Sequence, residues 1–136
     1  MKLRLTVFLI LICGLSYSQS FPYNVVIDIT SNDTTLQQSV MRWVKGITRE
    51  YKDANVEVVF YGKSLDMISK GKSILEQDIA EYSQKQNVSF TVCEQAMKRN
   101  NITKDQLIAG VKSVPDGIHH IIKRQHEGWG YIKAAR

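Results

Sequence analysis

One short stretch in the second half of the chain, Asn87–Glu94, constrains the fold more than any other. Apolar and polar residues alternate from Val88 to Val92, and this period of two predicts a β-strand. The strand ends on Cys93, and residues 94–99 contain no glycine or proline and favour a helix. A strand that leads directly into a helix places its last side chain at the carboxyl edge of a sheet, where ligands bind in open α/β folds.

The position of Cys93 allows two interpretations. A helix N-terminus carries roughly half a positive charge, which favours a thiolate over a thiol. The carboxylate of Glu94 opposes the thiolate if it points at the sulfur. A free cysteine at a strand end is also commonly a small buried hydrophobic residue. A reactive thiol and an inert core residue therefore both stay open at this point.

Residues 1–18 have the features of a secretory signal peptide. Lys2 and Arg4 form a basic start, and residues 5–15 are almost entirely apolar. The apolar run is too short to span a bilayer comfortably. The sequence thus predicts cleavage before Gln19 and export to the periplasm or the medium of a bacterium, without stable membrane insertion.

Cys13 suggests lipid anchoring as an alternative to soluble export. A lipidated cysteine needs a small residue immediately before it, and Ile12 is bulky, so the sequence favours soluble export. Cleavage leaves Cys93 as the only cysteine, which excludes an internal disulfide and marks it as a free or intermolecularly paired thiol.

The mature chain, residues 19–136, has the length of one ordinary domain with its own core. Removing Lys2 and Arg4 lowers the 18 basic residues to 16, against 13 acidic ones. A net charge of +3, evenly spread, does not predict a nucleic-acid partner.

Strand and helix patterns alternate along the mature chain, which predicts a parallel sheet with helices on both faces. The pattern predicts strands at 25–29, 56–62, 88–93, 111–114 and 128–132, and helices at 36–51, 64–68, 74–82, 94–99 and 117–126. In the first helix one apolar stripe recurs at helical spacing, formed by Leu36, Val40, Trp43, Val44, Ile47 and Tyr51.

Two further patterns do not support a site. Gly71–Ser73 resembles the end of a phosphate-binding loop, but Asp66 stands where the first glycine is needed, and no strand leads into the segment. His119, His120 and His126 lie on the last predicted helix. The first and last of them are two turns apart, too far to share a metal ion by themselves. The sequence predicts neither a metal nor a cofactor.

Four motifs in a fixed order resemble the DsrE/DsrF-like (sulfur-relay, YchN-like) family. The first two are the Phe60–Gly62 strand end and the strand that ends on Cys93. A Val114–Gly117 turn follows about twenty residues later. The segment Gln125–Tyr131 is similar to the family's Gln-x-x-Gly-aromatic-x-Tyr signature. The resemblance covers Val25–Ile132, nearly the whole mature chain.

The resemblance implies a three-layer αβα sandwich with a five-stranded, mainly parallel sheet of flavodoxin-like architecture, commonly assembled as trimers or hexamers. In the best understood members a cysteine carries sulfur as a persulfide in a relay, and this cysteine matches Cys93. Many members have a histidine where this chain has Tyr61, which argues against a base there. Tyr61, Gly62 and Glu94 are the candidate binding residues.

The expected function is that of an exported DsrE-like protein in which Cys93 handles sulfur or redox equivalents, with a sulfur-donor or acceptor protein as partner. The alternative is a non-enzymatic oligomeric module that binds a small ligand or serves assembly, with an inert cysteine. Trp129 and Tyr131 fit core or subunit-interface aromatics better than a ligand platform. A family this broad transfers its fold more readily than its activity.

Overall fold

The structure, a computed structural model, describes residues 21–135. The predicted signal peptide with Cys13 lies outside the described residues. The elements in chain order are β1 Asn24–Ile29, α1 Thr34–Glu50, β2 Asn55–Phe60, a 3₁₀ helix Ser64–Ile68, α2 Glu76–Tyr82, β3 Val88–Cys93, α3 Glu94–Arg99, a 3₁₀ turn Lys104–Gln106, β4 Lys112–Val114, α4 Gly117–His126 and β5 Gly130–Ala134. No helix within residues 21–135 has the length and apolar character needed to cross a bilayer.

The five strands form one sheet in the order β4-β3-β2-β1-β5, and every neighbouring pair is parallel. The predicted parallel α/β fold is therefore confirmed. Because all strands point the same way, their carboxyl ends meet at one edge of the sheet. That edge carries Cys93 at the end of β3, beside Val114 at the end of β4.

Aspartate caps begin the two longest helices. The Asp33 carboxylate accepts a hydrogen bond from the Leu36 N–H at 2.7 Å, and this satisfies one of the unpaired donors at the start of α1. The Asp116 carboxylate does the same for α4, accepting from the N–H groups of Ile118 and His119 at 2.9 and 3.1 Å. Aspartate is among the residues that favour this position at a helix start.

The main core lies on one face of the sheet, against α1, α2, α3 and the 3₁₀ helix Ser64–Ile68. The Phe60 and Phe90 rings meet at its centre, with centroids 6.2 Å apart. Every second residue of β1, β2 and β3 points into this core, which buries Val25, Ile27, Ile29, Val56, Val58, Phe60, Val88, Phe90 and Val92. The alternation of apolar residues along the sequence therefore marks the side chains that face this core.

The opposite face of the sheet packs against α4. Ile121 of that helix covers Val26 and Val59, and Tyr61 and Trp129 pack at the edges of this small cluster. The αβα layering is thus confirmed with unequal layers. A single short helix leaves room on this face for polar and charged strand residues, which are uncommon in a parallel sheet covered on both sides. We call this side of the sheet the α4 face.

Some boundaries and exposures differ from the sequence predictions. Helix α2 begins at Glu76 and leaves Ile74 exposed. Strand β5 begins two residues later than predicted because Gly128, at φ +86°, forms a turn first. Trp43 and Tyr51 of the predicted stripe remain 38% and 50% exposed. The stripe is wider than the surface of the sheet that α1 covers, so its margin faces solvent.

Candidate functional site

Cys93 is both the last residue of β3 and the N-cap residue of α3. Its side chain is 8% exposed and belongs to the core cluster, and it is a free thiol. The predicted position at the carboxyl edge of the sheet and at a helix start is therefore confirmed. The low exposure means that little of this residue is open to a reagent in solution.

A second helix start also approaches Cys93. A Cβ atom built on Gly117, the first residue of α4, would lie 3.0 Å from the Cys93 Cβ, 3.7 Å from its Sγ and 3.5 Å from a methyl carbon of Val59. Glycine at this position lets α4 come close to the end of β3. The Cys93 sulfur consequently lies beside the first turn of α4 as well as at the start of α3.

Tyr61, the residue after β2, belongs to the same end of the sheet. Its hydroxyl donates a hydrogen bond of 2.8 Å to Oδ2 of Asp28. Burial is the largest cause that raises the pKa of Tyr61, followed by the hydrogen bond and the negative charge of Asp28, and the charge of Cys93 adds to the effect. The phenol therefore stays protonated and cannot act as a general base near neutral pH.

Asp28 accepts hydrogen bonds from β5 and from the residue that follows β2. Its Oδ2 atom accepts from the Tyr131 hydroxyl at 2.8 Å and from the Lys133 Nζ at 3.0 Å, in addition to Tyr61. Its Oδ1 atom is buried and has no hydrogen-bond partner among the described residues. Burial, then the bond to Asp28, raises the pKa of Tyr131 to about 12. We call these four residues the Asp28 cluster.

A second buried carboxylate lies on the same α4 face. Glu57 of β2 is 2% exposed and accepts from the Thr91 hydroxyl at 2.6 Å. It also contacts the His120 Nε2 at 2.9 Å and accepts from the Arg124 Nε at 2.5 Å. Burial alone would raise the pKa of Glu57, but the hydrogen bonds from Thr91, Arg124 and His120 together lower it. We call Glu57, Thr91, His120 and Arg124 the Glu57 cluster. Its contacts join α4 to the sheet.

Arg124 extends this cluster towards β5. Its guanidinium group lies 4.6 Å from the centre of the Trp129 ring and donates to Glu127 at 2.9 Å. Trp129 is therefore a partly buried packing residue, whereas Tyr131 is 42% exposed while its hydroxyl stays bound to Asp28.

Glu94, the first residue of α3, directs its carboxylate to Ser113 and Lys104 rather than standing alone beside the thiol. It accepts from the Ser113 hydroxyl at 2.7 Å and pairs with the Lys104 Nζ at 3.1 Å. These contacts, the Ser113 hydrogen bond first, lower the pKa of Glu94. The carboxylate of Glu94 is therefore engaged by a hydroxyl and an ammonium group at the start of α3.

Gly62 has a backbone role in this region. Its φ of +67° is in the left-handed region, and a Cβ there would lie 3.1 Å from the Thr30 carbonyl oxygen. Glycine is thus required for the turn that follows Tyr61. The structure gives Gly62 no side chain with which to bind a ligand, so any binding role would use its backbone.

Of the three histidines, His120 points to Glu57, and His119 contributes its backbone N–H to the Asp116 cap. Within residues 21–135 no group of three or more histidine, cysteine, aspartate or glutamate side chains is arranged to hold a metal ion. Gly71–Ser73 lies in the turns between the 3₁₀ helix and α2, without the strand that a phosphate-binding loop needs.

Sequence patterns alone did not predict a role for Asp28, Glu57, Arg124 or Lys133. A signal was present, because Asp28 and Glu57 are the single charged residues within the otherwise apolar cores of β1 and β2. A charged residue in a strand of a parallel sheet requires a buried partner. Those partners come from β5 and α4, about a hundred and about seventy positions further along the chain, respectively.

An α/β domain with a parallel sheet, a cysteine at the carboxyl edge and polar clusters beside it defines the class of protein. Within that class, the chain belongs to the DsrE/DsrF-like family, whose family model matches residues 24–134. No curated protein matches the chain.

Solved structures with the same fold include proteins from an archaeon and two bacteria. A protein of unknown function from Methanobacterium thermoautotrophicum, MTH1491, is 29% identical with a TM-score of 0.76, covering 82% of this chain and 98% of its own. The ychN protein from E. coli is 11% identical with a TM-score of 0.69, covering 83% and 99%. BT1422 from Bacteroides thetaiotaomicron is 12% identical with a TM-score of 0.69, covering 86% and 99%. The latter two support the fold alone.

Proposed function

We propose that this protein is an exported member of the DsrE/DsrF-like family in which Cys93 carries sulfur as a persulfide between a donor and an acceptor. The observation that carries the proposal is the position of Cys93, which joins the end of β3 to the start of α3 and lies against Gly117 at the start of α4. Two helix starts thus converge on one sulfur, at the end of the sheet where ligands bind in open α/β folds.

The proposed reaction is a sulfur exchange in two steps. The Cys93 thiolate attacks the outer sulfur of a donor persulfide, R–S–SH. A new sulfur–sulfur bond forms while the old one breaks, so the donor leaves as R–S⁻ and Cys93 becomes Cys93–S–SH. An acceptor thiolate then attacks the outer sulfur, and Cys93 leaves again as a thiolate. No oxidant or reductant is consumed.

The neighbouring groups have supporting roles in this proposal. Tyr61 stays protonated and is held by Asp28, so it forms a neutral wall rather than a base. The Lys104 ammonium pairs with Glu94 at the start of α3, so this carboxylate does not stand alone beside the sulfur. Little of Cys93 is exposed, so the proposed donor needs a slender sulfane group.

The test is sulfur uptake by Cys93 in the folded protein. We expect the intact mass to increase by one sulfur atom after exposure to glutathione persulfide, and Cys93→Ser to show no increase. Gly117→Ala, which adds a methyl group 3.7 Å from Sγ, should slow the uptake without abolishing it. A cysteine that takes up sulfur, or reacts with iodoacetamide, only after unfolding would be a core residue, and the proposal would fail.

A specific observation favours a second candidate function, the binding of a small ligand at the same edge of the sheet. The Oδ1 atom of Asp28 is buried without a partner among the described residues, and a buried carboxylate oxygen gains from a hydrogen-bond donor. In this case Cys93→Ser would leave ligand binding intact and Asp28→Asn would abolish it. The sulfur-carrier function predicts instead that Cys93→Ser abolishes sulfur uptake and that Asp28→Asn leaves it intact.

Export and assembly form part of the proposal. The basic and apolar pattern of residues 1–18 supports cleavage before Gln19, and the family resemblance supports a trimer or hexamer with a sulfur-donor or acceptor protein as partner. We expect the exported protein to start at Gln19 by N-terminal sequencing and to sediment as a multiple of three chains at micromolar concentration. An N-terminus at Met1 or a lipidated Cys13 would contradict export as a soluble protein, and a monomer would contradict assembly.

A further inference from the structure

A cleft lies on the side of the domain away from the α4 face. It has a volume of about 450 Å³ and runs between the second half of α1 and the edge strand β5. Its lining is mostly apolar or aromatic: Tyr23, Trp43, Gly46, Ile47, Tyr51 and Ile132, with Arg42 as the charged member. The volume is within the range of small-molecule sites, which are typically apolar clefts with a few well-placed polar groups.

Three aromatic rings form the walls of this cleft and remain accessible. Tyr23 and Tyr51 stack on each other, with ring centroids 4.6 Å apart and an angle of 29° between the planes. They are 37% and 50% exposed, and Trp43 is 38% exposed. Exposed aromatic side chains grouped around a concave surface are typical of binding sites rather than of a solvated helix. Flat rings in such a cleft favour a flat ligand.

Gly46 keeps the cleft open. It lies in the middle of α1, where glycine is unfavourable for a helix, and a Cβ built on it would meet nothing within 4 Å. Neither close packing nor backbone conformation requires glycine here. Any larger side chain at this position would project into the space that the aromatic rings surround.

Arg42, at the edge of the cleft, indicates that the ligand carries a negative charge. Its guanidinium group is exposed and donates a hydrogen bond of 2.7 Å to the Ser39 hydroxyl oxygen, and no carboxylate in the described part of the chain pairs with it. By contrast, Lys45 on the same helix is paired with Asp78 at 2.7 Å. An arginine available at the edge of an apolar cleft is suited to a carboxylate, which it can bind through two parallel hydrogen bonds.

We infer that this cleft binds a small planar aromatic carboxylate, with the ring between Trp43 and the Tyr23–Tyr51 stack and the carboxylate on Arg42. This site is independent of Cys93, since it uses α1 and the opposite face of the sheet. Its occupation or absence therefore leaves the proposed sulfur chemistry unaffected.

The first experiment compares two probes of equal size, 2-naphthoate and its neutral amide, 2-naphthamide, by calorimetric titration and by NMR of the Trp43 indole N–H signal. We expect 2-naphthoate to bind at one site per chain and to shift the Trp43 signal, but not that of Trp129. The amide should bind about tenfold more weakly, because it lacks the charge-assisted bonds to Arg42. In Arg42→Gln the two probes should bind equally.

Matched variants at Gly46 complete the test. Gly46→Leu should fill the cleft and weaken 2-naphthoate binding at least tenfold, while Gly46→Ala should keep most of the binding; both should melt at or above the wild-type temperature. Three results would overturn the inference: equal affinity for the acid and the amide in the wild type, unchanged binding in Gly46→Leu, or dissociation of an oligomer by Gly46→Leu in sedimentation. The last would assign the cleft to a contact between copies of the chain.

Discussion

Replacing Arg124 by methionine is expected to lower the free energy of unfolding by about 3 kcal/mol. The variant keeps most of the side-chain volume and the packing on Trp129, but it removes the guanidinium group from a glutamate that is 2% exposed. Removing one partner of a buried ion pair costs more than the pair contributes, because the remaining charge stays buried. Thr91 and His120 still donate to Glu57 and limit the loss. Urea unfolding followed by circular dichroism measures it.

A double-mutant cycle separates the ion pair from its surroundings. Glu57→Met combined with Arg124→Met should recover most of the lost stability, since an apolar pair of similar volume replaces both charges. Arg49→Met is the matched control, because Arg49 is exposed near the end of α1, and it should change stability by less than about 0.5 kcal/mol. Equal losses for Arg124→Met and Arg49→Met would show that the Glu57 cluster contributes nothing.

The stability of Arg124→Met relative to the wild type should depend on pH in a defined way. Hydrogen bonds lower the pKa of Glu57 below its ordinary 4.5 in the folded protein, although burial acts to raise it. The stability that this group contributes is therefore present above pH 4.5 and is lost as the pH falls through the lower folded value. Arg124→Met removes one of these hydrogen bonds, so the effect of burial becomes relatively larger and the pKa of Glu57 rises. The stability difference between the two proteins should accordingly narrow in acid.

Asp28→Asn is expected to be the second most destabilising change, at about 2 kcal/mol. The amide keeps the shape of the carboxylate but cannot offer a charged acceptor to the Tyr61 and Tyr131 hydroxyls and the Lys133 ammonium. The exposed Asp53 provides the matched control, Asp53→Asn, which should be close to neutral. Thermal and urea unfolding of both variants measure the difference, and equal stability would contradict the role assigned to the Asp28 cluster.

Titration of the phenols gives a second measure of this cluster. Burial, followed by the hydrogen bond and charge of Asp28, raises the pKa of Tyr131 to about 12 from an ordinary value of 10.0, and the same two causes raise that of Tyr61. A raised folded pKa contributes stability that is complete below pH 10 and is lost as the pH rises towards 12. In Asp28→Asn, the absorbance change of phenol ionisation should move to lower pH, and the alkaline loss of stability should become shallower. Tyr61→Phe and Tyr131→Phe assign the two contributions.

Local patterns predicted the architecture well, because the relevant forces act over a few residues. Alternation from Val88 to Val92 indicates which side chains of β3 face the core, and the start of α4 follows from the Asp116 cap. The apolar stripe of α1 predicted only part of the helix surface that is buried. Periodicity shows that Trp43 and Tyr51 share a side of the helix, but not how much of that side the sheet covers.

The sequence alone determined the order of elements, the parallel sheet and the location of Cys93 where β3 meets α3. The tertiary structure alone decided which residues surround that location. Strand register places Asp28 beside Lys133, and α4 carries Arg124 to Glu57. The physical reason is that local propensity and capping extend over a few residues. A buried carboxylate, in contrast, finds its partner through packing between elements that are distant in the chain, and no local pattern encodes that pairing.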